Sequence, residues 1–570
     1  MPVWAKEFAL KYGSNTSAMY ILHGNIRDFL SQRTSATDFK FTTIQNYIAD
    51  ILFGFQGVII NFDRSSGITF YDNDQKSEYI HHTKFVLHEL GYSENLLFTR
   101  NPISAFQILE RYFFHQIQKQ NRIVLIIDYA ETLIPSGELN AYSDEDRYCI
   151  VTLKRWATDP IFINNDVTIC LLTENLSDIN NNFVKSPNII KINIPIPDEE
   201  TRRNFFFYKQ KMHQLLLSEE ITVQTASQMT GGLNLVNINQ IIAESYQQNK
   251  AISLAYLKKR KKELIEAEAS GLLEFIESKN NLEMVSGHAY VVRRLKQAAS
   301  TIQMGKLDVL PMGYLISGPV GTGKSYMVTC FSGDVGIPCV KFLNFRSKWQ
   351  GVTEANIEKI LNILKAMAPV AVMIDEADAF LGDRSSEGDS GTSSRVFGQL
   401  ANFMGNTEYR GKIIWFLITC RPDLIPIDIK RQGRAEEHLA LFYPETIEEK
   451  LDLFYTLARK LNVKINDIDL SYLLKKHKLN YSGADIEAIL VRAKFHSTTC
   501  ERDDVYMDDI EQAIIDFIPP SYPYEVELQN LVSILECTSK QMIPKEYANL
   551  DKNKIAETIK QLKILLGEWN

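Results

Sequence analysis

Eight residues constrain this chain more than any others: Gly318-Pro319-Val320-Gly321-Thr322-Gly323-Lys324-Ser325. The apolar run Gly313 to Ser317 before them reads as a strand, and Tyr326 to Thr329 after them as the first turn of a helix. This is the GxxxxGK(S/T) pattern in the strand–loop–helix setting it requires. Glycines let backbone N–H groups close around the β- and γ-phosphates, and the helix N-terminus adds partial positive charge. Lys324 then neutralises the phosphates, and the Ser325 hydroxyl holds Mg²⁺. The pattern predicts a site for a nucleoside triphosphate, and with it an α/β fold.

Around that site there is room for three or four domains, since the chain has 570 residues. Charged residues make up 23% and hydrophobic residues 45%, the balance of a globular protein. The net charge of −8 supplies no overall attraction for nucleic acid or an anionic membrane. The dense basic run Lys258 to Lys262 passes directly into Glu263-Leu264-Ile265-Glu266, which reads as a solvated helix face. The seven cysteines are odd in number and lack CxxC spacing. That argues against a disulfide framework or a zinc site and for a reducing cytoplasm. The N-terminus has no signal-peptide architecture, and no apolar run approaches the ~18 residues of a membrane span. A soluble cytoplasmic protein using no metal beyond Mg²⁺ is expected.

The chain contains a repeat. Val370 to Asp375 and Arg122 to Asp128 are both apolar runs ending in a carboxylate. The next apolar strands end at Thr419 and Thr173, 44 and 45 residues later, and Pro444 and Pro197 each follow the aspartate by 69 residues. Each half then has a helical segment with a glycine turn, at Gly231-Gly232 and at Ser482-Gly483. Two copies of one nucleotide-binding module are expected, each built on a parallel sheet of alternating strands and helices. The copies differ. Lys324 precedes Asp375 by 51 residues, and the same offset from Asp128 reaches Ser77, where no glycines cradle a phosphate. Asp128 is followed by Tyr129 rather than a glutamate, and Glu131 comes two residues too late. The first copy is therefore read as a nucleotide-free structural module.

In the second copy, Asp375 is placed to hold Mg²⁺ with Ser325, and Glu376 to polarise the attacking water. Residues 282–518 resemble the AAA ATPase clade. The likeness runs from Val285-Ser286-Gly287 through Gly318–Ser325 and Asp375-Glu376-Ala377-Asp378 to Arg431-Gln432-Gly433-Arg434, and ends at Tyr481-Ser482-Gly483-Ala484-Asp485. The resemblance implies that Val285, Ser286, Gly287, Gly483 and Ala484 lie on the adenine side. Gly318, Pro319, Val320, Gly321, Thr322, Gly323 and Tyr326 would surround the phosphates with Lys324 and Ser325. It implies that Arg431 and Arg434 reach a neighbouring subunit's γ-phosphate, in a ring that is usually a hexamer and acts on protein. One position departs from the family, because Cys420 follows Thr419 where asparagine is usual. Either Thr419 substitutes or hydrolysis is slow. The tandem layout is also similar to a bacterial and plastid subgroup with a degenerate first module.

Lys348-Trp349-Gln350-Gly351 resembles the aromatic pore loop of katanin- and spastin-type proteins, in which a ring and a flexible glycine grip extended polypeptide. The other reading of Trp349 is a core residue. A second, polar pore segment is expected at Asp383 to Ser390. The expected fold class is α/β, with two P-loop-type modules, each a parallel sheet followed by a helical lid, and a helical tail. The expected boundaries are 1–199 and 200–255 for the first sheet module and lid, and 256–281 for a linker helix. The active sheet module, its lid and the tail follow at 282–441, 442–518 and 519–570. The tail is read as packing on its own module, with docking to another protein as the alternative. The expected function is an ATP-driven protein remodeller. The alternatives are an ATP-switched scaffold and, against the acidic charge, a nucleic-acid motor.

Overall fold

The computed structural model describes residues 1–33, 38–54, 56–89, 93–137, 141–269, 271–278, 280–343, 354–381, 392–465, 469–477, 481–518, 522–547 and 551–568. They form two compact units, residues 1–265 with 354–366, and residues 266–353 with 367–570. No helix among the described residues is long and apolar enough to cross a membrane.

The first unit is built on β1 (Met19–Gly24), β4 (Val58–Asp63), β5 (Gly67–Phe70), β6 (Ile123–Ile127), β7 (Val167–Thr173) and β8 (Ile189–Ile194), with a separate hairpin of β2 (Leu30–Arg33) and β3 (Phe39–Thr42). The sheet order is β5-β4-β6-β7-β1-β8, parallel except for β5. Continuous apolar strands are expected where both faces are covered, and the side chains divide that way. Ile123, Leu125 and Ile127 join Phe106, Phe113 and Trp156 on one face, while Val124 and Ile126 join Trp4, Phe8 and Tyr20 on the other. Helices Glu199–Lys211, Val223–Met229 and Leu235–Gln247 follow the sheet.

The second unit repeats the plan with β9 (Leu273–Phe275), β10 (Gly313–Ser317), β11 (Cys339–Phe342), β12 (Val370–Ile374), β13 (Ile413–Thr419) and β14 (Glu437–Ala440), in the order β14-β10-β13-β12-β11-β9. Five parallel strands have the same order in both sheets, so β6 corresponds to β12 and β7 to β13, as the repeat predicts. The sixth, antiparallel place is filled differently: β5 folds back from β4, whereas β9 comes from the segment ahead of the module. The correspondence extends to the backbone. Tyr129 and Glu376, each one residue past its strand-end aspartate, have φ of 53° and 51°. Helices Ile447–Lys460, Leu470–His477, Gly483–Thr499 and Met507–Asp516 then share one apolar core.

The topology corrects the counterpart of the phosphate loop. The strand in the place of β10 is β1, so the equivalent segment is Gly24 to Phe29. Counting by offset reached Ser77 instead, which lies within helix Asn73–Glu89. The count fails because Gly24 stands 104 residues before Asp128, whereas Ser317 stands 58 before Asp375. The extra length holds the β2–β3 hairpin and additional helices.

This segment has one glycine, Gly24, and then charges paired inside the unit. Arg27 donates from both terminal nitrogens to Asp128 at 2.8 Å, and Gln45 adds a third bond at 2.8 Å. The guanidinium also lies 4.0 Å from the Tyr129 ring. Asp28, 4% exposed, accepts from the Leu235 and Val236 N–H groups at 2.9 Å each, at the start of helix Leu235–Gln247. An internal cation thus engages the strand-end carboxylate, and an internal anion engages the start of the helix that corresponds to Gly483–Thr499 of the second unit.

Removing Arg27 strands a carboxylate that is only 15% exposed. Arg27→Ala should destabilise the first unit by about 1–3 kcal/mol in denaturant melts, with Asp128→Asn in the same background recovering part of the loss. A second prediction concerns His23 on β1. Burial, with a smaller contribution from Lys365, pushes its pKa down to about 4. The unfolded chain takes up that proton below about 6.5, and the folded chain refuses it until about pH 4. Stability should therefore be full above pH 6.5 and fall between 6.5 and 4, by at most about 1.4 kcal/mol per pH unit. His23→Phe should flatten thermal stability across that window.

Candidate nucleotide site

Strand β10 delivers the chain into Gly318, whose φ is +142°, and a Cβ there would sit 2.0 Å from the Leu441 carbonyl oxygen. Gly321 has φ +83°, and its Cβ would sit 2.7 Å from the Ser482 hydroxyl. Only glycine allows the loop to pass between β14 and the lid so closely. The loop ends in helix Lys324–Val335, whose first-turn N–H groups have no intrahelical acceptors. Met327, Val328 and Phe331 of that helix pack on the sheet with Ile316 and Phe416, so the helix start is rigidly placed.

Lys324 is 8% exposed, and its ammonium donates to the Gly318 and Pro319 carbonyls at 2.8 Å each. Burial pushes its pKa down, while Cys420, Asp375 and Asp378 pull it up. The Ser325 hydroxyl lies 3.1 Å from both carboxylate oxygens of Asp375. Lys341 donates to the same carboxylate at 3.0 Å, and the Glu376 N–H at 3.1 Å. A hydroxyl and a carboxylate converging beneath a phosphate loop are hard oxygen donors suited to Mg²⁺, so the residues present fit a Mg²⁺–nucleotide. Glu376 itself is exposed beside them.

At the end of β13, Thr419 donates to Asp378 at 2.6 Å and accepts from the Arg421 N–H at 2.8 Å. The hydroxyl is thus committed within the chain, and Cys420 lies against the Lys324 ammonium. On the other side of the loop, Ser286 donates to Asp452 at 2.5 Å. Val285, Gly287, His288, Val292, Glu449 and Asp452 border a cleft of about 900 Å³. Burial pushes the His288 pKa down to about 4, keeping its imidazole neutral. The Tyr326 ring lies beneath Lys460 of the lid at 4.8 Å. Ser482 caps helix Gly483–Thr499 reciprocally with Asp485. A Cβ on Gly483 would sit 3.1 Å from the Gly321 carbonyl, so Gly483 and Ala484 directly adjoin the phosphate loop.

The two arginines differ. Arg431 has 61% of its side chain exposed and pairs with Asp428 at 2.9 Å. The Arg434 side chain is 6% exposed and bonded to the Asp428 carboxylate and, at 3.0 Å, to its carbonyl. Asp428 therefore joins them, and Arg434 is the buried anchor. Lys348, Trp349, Gln350, Gly351 and the segment Asp383 to Ser390 lie outside the described residues. Sequence reasoning missed Lys341, Tyr443 and Gln529. Tyr443 donates to the Val320 carbonyl at 2.7 Å, and Gln529 accepts from the Val320 N–H at 3.0 Å. Only Lys341, a charge inside the strand Cys339–Phe342, carried a sequence signal.

The chain is similar in sequence to known proteins along most of its length. Residues 1–195 match the family "AAA+ chaperone, N-terminal Rossmann-like domain", and residues 200–270 match "AAA+ chaperone, second helical domain". Residues 314–443 match "ATPase family associated with various cellular activities (AAA)". The uncharacterized AAA domain-containing protein ycf46 of Trieres chinensis is 24% identical over 435 residues, covering 74% of this chain and 81% of its own length. The Cell division cycle protein 48 homolog of Archaeoglobus fulgidus is 23% identical over 431 residues, covering 68% of this chain and 57% of that protein. The peroxisomal ATPase PEX6 of Saccharomyces cerevisiae is 32% identical over 181 residues, 31% of this chain and 18% of its own. The successive matches meet a phosphate loop that is joined through Ser325 to its strand-end carboxylate, and on that ground the chain belongs to the AAA+ ATPases and is an ATP-hydrolysing enzyme.

Proposed function

We propose that this ATPase works as a ring, most simply a hexamer, that remodels protein substrates with Mg²⁺-ATP bound in the second unit. The observation that carries the reading is Arg431. Its guanidinium is exposed and pinned through Asp428 to the buried Arg434, the arrangement of an arginine presented to a second molecule. Bound Mg²⁺ would supply charge neutralisation between the phosphates. Ser325 and Asp375 would hold it, Lys324 would bind the phosphates, and Glu376 would orient and deprotonate the attacking water. Arg431 of an adjoining copy would stabilise the charge that develops on the transferring phosphoryl group.

Cys420 favours a second reading. A thiol is a poor hydrogen-bonding group, and with Thr419 committed to Asp378 the described residues at that strand end offer no side-chain amide to align the water as an asparagine would. Slow turnover suits an ATP-switched scaffold in which the first unit, closed by its own charges, serves as a docking module. A nucleic-acid motor has least support, given the acidic net charge. A cytoplasmic location rests on cysteine usage alone.

Mass in solution and phosphate release, measured on wild type and Glu376→Gln, separate the first two readings. The ring predicts a hexamer-sized ATP-bound species in the variant and release in wild type. Arg431→Ala should then cut release about a thousandfold while leaving ATP binding intact. A monomer or dimer in both proteins with little release would favour the switch and remove the role given to Arg431. Trp349→Ala should keep ATP turnover but lose unfolding of a tagged test polypeptide; retained unfolding would exclude a gripping role for Trp349.

A further inference from the structure

Among the contacts that the tail makes within the second unit, three lie beside segments of the ATPase site. The base of the tail is apolar. Helix Pro523–Glu536 buries Leu528, Leu531 and Val532 with Ala440 and Phe442, and helix Lys552–Leu565 adds Ile559 and Leu562. Packing alone explains that base, but not the polar contacts built upon it.

The first contact is on the phosphate loop. Pro319 has no N–H, so the first N–H available beyond Gly318 belongs to Val320, and it donates to Gln529 Oε1 at 3.0 Å. The carbonyl of the same residue accepts from the Tyr443 hydroxyl at 2.7 Å. The outer limb of the loop is thus held from both sides, although Val320 is 60% exposed.

The second contact is on the loop after β13. Glu568 accepts from both terminal nitrogens of Arg421 at 2.7 Å each. Arg421 also donates to Asp423 at 3.0 Å from two nitrogens, and Lys563 reaches Asp423 at 2.7 Å. The Arg421 side chain is only 14% exposed. This four-charge network fixes the residue whose N–H bonds the Thr419 hydroxyl and whose neighbour is Cys420. The third contact joins Glu536 to Lys430, which adjoins Arg431, with Lys430 also donating to the Pro422 carbonyl at 2.9 Å.

We propose that Gln529 and Glu568 are positioning residues of the ATPase site. Gln529 holds the phosphate loop in its nucleotide-binding shape, and Glu568, through Arg421, holds the loop that carries Thr419 and Cys420. This rests on the ATPase reading of the second unit. A loop held in advance does not have to be ordered by the nucleotide, so losing Gln529 weakens binding. Losing Glu568 loosens groups near the reacting phosphate, so it slows the chemical step instead.

The test uses the full chain with Gln529→Ala and Glu568→Gln, reading fluorescent-ADP affinity, KM and kcat for ATP, and the thermal midpoint. Gln529→Ala should raise the ADP Kd and the ATP KM about five- to tenfold and leave kcat within about twofold. Glu568→Gln should lower kcat about five- to tenfold and leave KM and ADP affinity within about twofold. Kinetics unchanged in both variants would overturn the proposal. So would losses that merely follow the folded fraction, the signature of a tail that only packs. Wild type that binds no ADP would instead overturn the ATPase reading itself, an outcome the variants cannot mimic.

Discussion

The second unit depends on the carboxylate of Asp375. It closes β12, accepts from the hydroxyl that opens the phosphate-loop helix, and takes the Lys341 ammonium on its remaining face. A carboxylate enclosed this way needs cationic or hydrogen-bonding partners to offset its desolvation. Phosphate loop, strand end and Lys341 therefore constrain one another, and Mg²⁺ would enter an array whose oxygen donors are already in place. The left-handed backbone of Glu376 follows from the same turn, since its N–H bonds back to Asp375.

The first unit partners its strand-end carboxylate with side chains of its own. Asp128 keeps the strand-end position and the left-handed residue after it, but Arg27 and Gln45 supply its partners. Asp28 supplies the anion that a helix N-terminus attracts. The two opposite charges lie on adjacent residues of one segment.

Strand identity and the repeat were legible in the sequence, because runs such as Ile123–Ile127 and Val370–Ile374 are apolar throughout and end in aspartate. The phosphate loop was legible because glycine and lysine at that spacing have few other uses. The first copy's counterpart was not, because insertions moved β1 far upstream of β6, and only pairing within the sheet restored the correspondence. The difference between Arg431 and Arg434 was equally hidden. Both stand in the same four-residue pattern, and their separation into an exposed guanidinium and a buried anchor depends on Asp428.

The sequence by itself determined the α/β class and the internal duplication, and it located the phosphate loop at Gly318–Ser325 ahead of the strand-end carboxylate Asp375. These follow from local spacing and hydrophobic runs, which survive without knowledge of distant contacts. Tertiary structure alone decided that Arg27 meets Asp128 and Asp28 meets the start of helix Leu235–Gln247, that Thr419 is committed to Asp378, and that Gln529 and Glu568 touch the loops of the second unit. Those partners lie from 41 to 209 residues apart in the chain. Their pairing follows from the order of strands in each sheet and from where the tail packs, and no local pattern encodes either.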